Sequence, residues 1–172
     1  MSAKKFLIYK FLPVLILCGI LAACELYGEV GGDDTNIPGS LPYLLQGQWA
    51  YGSSEKYTIT ATTIEYTYEG GPPDYNYKGD IKFVSNYSAD SGVIIIEYII
   101  KPGYLAYNDK DFFAIYYRNL NANWVKLANA INLSDFTAPD TETLNEAIQK
   151  FTRTQMGNYV NWNFQPQTRI GE

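Results

Sequence analysis

Two glutamates in matching surroundings, Ile64-Glu65-Tyr66 and Ile96-Glu97-Tyr98, are the nearest approach in this chain to an acid–base pair. Glycosidase-type work would need both carboxyls on one cavity, about 5 to 9 Å apart. Alternation instead points Glu65 outward into solvent. Glu97 is isolated in an apolar run and would need a partner such as Lys126 or Arg118. The 172 residues contain no histidine, which removes the Ser-His-Asp triad, a neutral-pH imidazole base and imidazole metal ligands. No phosphate loop, dinucleotide fingerprint or metal-ligand spacing is present, and Asp109-x-Asp111 reads as a turn. The expectation is a non-enzymatic protein with no cofactor and no metal.

Aromatic rings are the abundant resource. Sixteen tyrosines are present, far more than any catalytic residue type. Buried tyrosines need partners for their hydroxyls, so a cavity lined by them is amphipathic and suited to a lipid, a sugar or another small amphiphile. Alternation selects Tyr66, Tyr68, Phe83, Tyr98 and Tyr117 as its ligand-binding lining. The other reading is that these rings simply fill a small barrel. A third use is a surface one, with Tyr75, Tyr77, Tyr104 and Tyr107 in or beside loops and available to an envelope or host macromolecule.

Charge depends on how the chain is sorted. Lys4, Lys5 and Lys10 stand before and within an apolar stretch from Phe6 to Ala23, the n-region and h-region of a secretory signal. The stretch ends in Leu21-Ala22-Ala23-Cys24, which resembles a bacterial lipobox. The resemblance implies that residues 1–23 are a lipoprotein signal peptide. It also implies that Cys24 is the lipidation site, carrying diacylglyceryl on sulfur and an acyl chain such as palmitate on the amine. Each buried lipid methylene contributes about 0.8 kcal/mol, so such an anchor is effectively permanent. Removing three lysines and no acid turns a formal −5 into −8, on 10 basic and 18 acidic groups. That balance gives nucleic acid no electrostatic footprint. Cys18 leaves with the leader, so no thiol or disulfide remains for the globule. Residues 24–40 hold the lipidated cysteine and a flexible acidic tether, in which Asp33-Asp34 lacks calcium-loop spacing. The expected location is the cell envelope, at the outer membrane or cell surface, with the inner membrane as the alternative.

From residue 41 the pattern is β followed by one helix. Runs rich in Tyr, Ile, Val, Phe and Thr alternate with Gly, Pro, Asn and Asp clusters, which places strands near 48–51, 55–60, 63–69, 77–87, 93–100, 111–118 and 124–130. The run Val93–Ile100 is apolar on both faces and should be covered on both. Leu144, Ala147, Ile148 and Phe151 form one helical stripe, preceded by a Thr143-x-x-Glu146 capping box. A last apolar piece, Tyr159 to Phe164, is expected to pair with the first strand and close the sheet.

The first strand opens on Gly47-Gln48-Trp49, which resembles the Gly-x-Trp entrance of lipocalins and related calycin barrels. The resemblance extends over nearly the whole mature chain, to uncharacterised lipocalin-like bacterial lipoproteins. It implies that Gly47 and Trp49 pack one barrel end and that a late arginine lies across the indole, with Arg169 the first candidate and Arg153 the second. The expected fold is a mainly β, antiparallel up-and-down, lipocalin-like barrel of about seven to eight strands over residues 41–172, with one short helix in its C-terminal half. The expected role is a membrane-tethered, monomeric binding domain for a small amphiphile. The alternative is a surface-interaction or structural lipoprotein with a filled barrel.

Overall fold

A computed structural model describes residues 38–69, 75–103, 110–137, 139–162 and 166–170. The leader, Cys24, the tether to Ile37, Tyr104, Tyr107 and Phe164 lie outside the described residues. Eight strands close into one antiparallel barrel in sequence order: β1 (Gly47–Tyr51), β2 (Glu55–Ile59), β3 (Thr63–Tyr68), β4 (Tyr77–Ser88), β5 (Ser91–Ile100), β6 (Phe112–Arg118), β7 (Trp124–Asn129) and β8 (Gln167–Arg169). The turn chemistry works as its residues suggest. Ser88 Oγ bridges Asp90 and Ser91 at the β4–β5 hairpin, and β5 ends just before Lys101-Pro102-Gly103.

The closing strand is not where the sequence places it. Residues Met156–Tyr159 form a helical turn, α2, and the Tyr159 carbonyl accepts from the Ile131 amide instead of a β1 partner. Closure falls to the three polar residues of β8, which pair Trp49 with Arg169 and Ala50 with Thr168 on one side and Val125 with Gln167 on the other. Gln167 is buried, and its side-chain amide accepts from Leu127 N–H at 2.8 Å and donates to Leu127 C=O at 3.3 Å. A side chain thus continues the ladder of a strand too short to do so alone.

Register separates the two faces. Residues opposite one another share a face, so Trp49, Tyr57, Tyr66 and Tyr77 all point inward. Further round, Ile94 and Ile115, Ile96 and Phe113, and Tyr117 and Leu127 point inward in pairs. The outer face of β5 and β6, with Val93, Ile95, Ala114 and Tyr116 buried, is covered by α1 (Leu144–Lys150), as the two-sided apolar run requires. Thr143 caps α1 in a full capping box with Glu146. Ala147 and Phe151 are buried under it, so the stripe faces the core.

Candidate functional site

The end of the barrel nearest Gly47 is shut. A 3-10 turn, Tyr43–Leu45, lies across it and buries Leu45 completely. Trp49 is fully buried and donates its indole N–H to the Leu45 carbonyl at 2.8 Å. Arg169 lies 4.3 Å from the centroid of the Trp49 ring. Its guanidinium donates to three backbone carbonyls, Gln46 at 3.0 Å, Ala122 at 2.9 Å and Leu44. Gly47 holds φ +131°, and a Cβ there would stand 2.6 Å from Arg169 Nη1, so both backbone and space require glycine. Of the two arginines weighed for this position, Arg169 takes it.

Tyrosines line the opposite end. Tyr57 and Tyr77, both buried, donate their hydroxyls to one acceptor, Asn129 Oδ1, at 3.1 and 2.6 Å. The Tyr66 ring lies between theirs, 4.9 Å from Tyr57 and stacked 5.2 Å from Tyr77. The series continues through Phe113, 5.7 Å from Tyr77, to Tyr98, stacked 5.7 Å from Phe113. Tyr98 stands opposite Gly79, where a Cβ would come within 2.9 Å of the Glu97 carbonyl. Tyr68 lies on the same inner face next to the rim and packs edge-on against Tyr75 at 5.8 Å. Tyr66, Tyr68 and Tyr98 are half-buried, so these rings form a surface rather than a sealed core. Burial, followed by the neighbouring hydroxyls, raises the Tyr57 and Tyr77 hydroxyls well above the usual tyrosine range, so both stay neutral donors.

Three of the five expected lining residues, Tyr66, Tyr68 and Tyr98, therefore meet at this end. Tyr117 is inward but belongs to the other end, fully buried, with its hydroxyl donating to Asn86 Oδ1 at 2.5 Å. Phe83 is a correction. Ile81 faces Ile96 across β5, yet Phe83 faces Ile95, and the register shift between them turns Phe83 to the outer face. One carboxylate needs correction as well. Glu97 has neither Lys126 nor Arg118 beside it and points outward to Lys82 at 2.9 Å. Glu65 points outward to Lys78 at 3.4 Å, so the two glutamates share no cavity. Arg118 stacks over Trp162 at 4.1 Å and Lys126 donates to the Trp162 carbonyl. Tyr77, expected in a surface role, is core.

Sequence reasoning missed two acidic groups. Glu55 starts β2 two residues before inward Tyr57, which puts its carboxylate on the inner face at the tyrosine-lined rim, opposite Tyr51 and Tyr68. Half-burial raises it above the usual carboxylate value. Asp140 is 4% exposed with both carboxylate oxygens buried and without a hydrogen-bond partner among the described residues. Burial pushes it up to about 7, with Lys150, Lys101 and Lys110 opposing that rise. It borders a cleft of about 650 Å³ outside the barrel, shared with Lys110, Asn132, Thr137, Lys150 and Tyr159. Neither group has a sequence signature, because a charged residue inside a strand or loop reads as solvated.

Among the described residues no helix is long and apolar enough to cross a membrane. No group of three or more His, Cys, Asp or Glu side chains placed to hold a metal occurs among them. No family model matches the chain, and no curated protein and no solved structure matches it significantly.

Proposed function

We propose that this chain is a lipocalin-like lipoprotein: a non-catalytic binding domain, held at an envelope membrane by acyl chains on Cys24, which receives a small amphiphile at the tyrosine-lined end of its barrel. The supporting observation is the asymmetry of the barrel. One end is plugged by Leu45, Trp49 and Arg169, while the other presents half-buried Tyr66, Tyr68 and Tyr98 whose rings offer apolar faces and whose hydroxyls offer polar edges. Lower in the barrel the side chains fill the space themselves, so the ligand rests on the tyrosines instead of threading the barrel.

Native mass spectrometry of the full-length chain, isolated without added detergent-like small molecules, tests this reading. A co-purifying amphiphile whose retention drops in a Tyr66→Ala, Tyr98→Ala double variant is the expected result. A chain that carries no adduct and takes up none would favour the second reading, a surface-interaction protein with a filled barrel. Phe136 is the observation on that side, 68% exposed and held at φ 58° in a loop tied by Asp135 and Thr137.

A further inference from the structure

Glu55 is the one inward carboxylate at the tyrosine-lined rim among the residues placed above, and its surroundings select a ligand charge. Its direction follows from Tyr57, whose hydroxyl crosses the barrel to Asn129, since residues two apart on a strand share a face. Across the ladder it meets Tyr51 on β1 and Tyr68 on β3, and its charge is felt at Tyr66 and Tyr57. The lysines of β2 and the start of β4 face away from it. Lys56 alternates to the outer face, and Lys78 is engaged there by Glu65. Among the described residues no hydrogen bond or ion pair satisfies the Glu55 carboxylate.

A half-buried carboxylate without a partner disfavours anions and gains from a cation. The rings beside it present the negative faces of their quadrupoles, which also favour a cation. A metal ion is a poor match, because among the described residues no group of three or more acidic, thiolate or imidazole side chains is placed to hold one. A large, weakly hydrated organic ammonium matches both features, since it can rest on apolar rings while its charge is neutralised. Hydroxyls of Tyr57 and Tyr77 are already committed to Asn129, so they do not compete for the carboxylate.

We propose that the preferred ligand of the tyrosine-lined end is an amphiphile with an ammonium head, the head seated between the Glu55 carboxylate and the rings of Tyr66 and Tyr68. The inference rests on the reading that an amphiphile binds at this end, and it adds the sign of the head group.

Two probes with the same tail separate the two statements. Hexyltrimethylammonium and hexyl glucoside, each below its micellar concentration, are titrated calorimetrically into the full-length chain and into a Glu55→Gln variant. The expected result is that the ammonium binds about tenfold more tightly than the glucoside. Glu55→Gln should abolish that preference by weakening the ammonium about tenfold and the glucoside much less. Tyr68→Leu is a second variant and should weaken both probes, the ammonium more. Equal affinity for the two probes, or an equal loss of both in Glu55→Gln, overturns the ammonium assignment and leaves amphiphile binding intact. Binding of neither probe overturns both. Near-ultraviolet circular dichroism of each variant confirms that the aromatic packing is retained.

Discussion

At one end of the barrel Trp49 has its indole N–H on the Leu45 carbonyl, a guanidinium over its ring and no exposed surface. At the other, Tyr66, Tyr68 and Tyr98 are half-exposed and a carboxylate stands beside them with no partner among the described residues. Both ends are aromatic, and both use strand residues on the inner face. They differ in whether the polar groups are satisfied within the chain. Arg169 spends its donors on three carbonyls from the turn before β1 and the β6–β7 connection, so the plugged end has nothing left to offer a ligand. The tyrosine-lined end satisfies its deep hydroxyls on Asn129 and leaves the Glu55 carboxylate without a hydrogen bond or ion pair among the described residues.

That contrast can be broken by substitution. Trp49→Ala removes a fully buried indole and the surface on which Arg169 rests, and is expected to lower stability by about 3–5 kcal/mol in denaturant unfolding. A loss below 1 kcal/mol would mean that the plug is not structural. At the opposite end Asn129→Ala strips the shared acceptor from two buried hydroxyls and should lower stability by about 1–3 kcal/mol, less than the tryptophan variant by the same measurement. Asp140 sharpens the comparison from outside both ends, as a buried polar group with no partner where Asn129 has two. Its carboxyl titrates near 7 in the folded chain and near 3.8 when unfolded, so the folded state binds the extra proton between those values. Stability contributed by Asp140 therefore falls as pH rises from about 4 to about 7. Asp140→Asn should leave stability unchanged at pH 3 and raise it by about 3–4 kcal/mol at pH 8, the free energy of moving that titration from near 3.8 to about 7. A destabilised variant at pH 8 would show that the carboxylate has a partner after all.

Much of the barrel is written in local patterns. Seven strands follow from alternation and turn residues, and α1 from its stripe and capping box, because those signals act over a few neighbouring residues. The Trp49–Arg169 contact is legible only through the Gly-x-Trp resemblance, since nothing local links residues 123 positions apart, the separation of Arg169 from Gln46. Two failures have specific causes. The extra residue between Ile81 and Phe83 reverses the alternation, so counting by twos from β4's first residues puts Phe83 inside when it is outside. Strand β8 is Gln-Thr-Arg and carries no apolar signal, so the more hydrophobic Tyr159–Phe164 piece reads as the closing strand in its place. Glu55 and Asp140 were invisible for a third reason. An acidic side chain announces burial only through what lies opposite it, and that is a property of register.

The placement of β8 has a temporal side. The residues that seal the barrel against β1 are made after all seven other strands, so until they arrive the growing chain exposes two unpaired strand edges and a tryptophan without its arginine. Sealing joins the first strand to the eighth, the kind of long-range contact that slows folding. The growing chain thus cannot lock prematurely, and any shortened product ending before Gln167 would remain an open sheet prone to pairing with its neighbours.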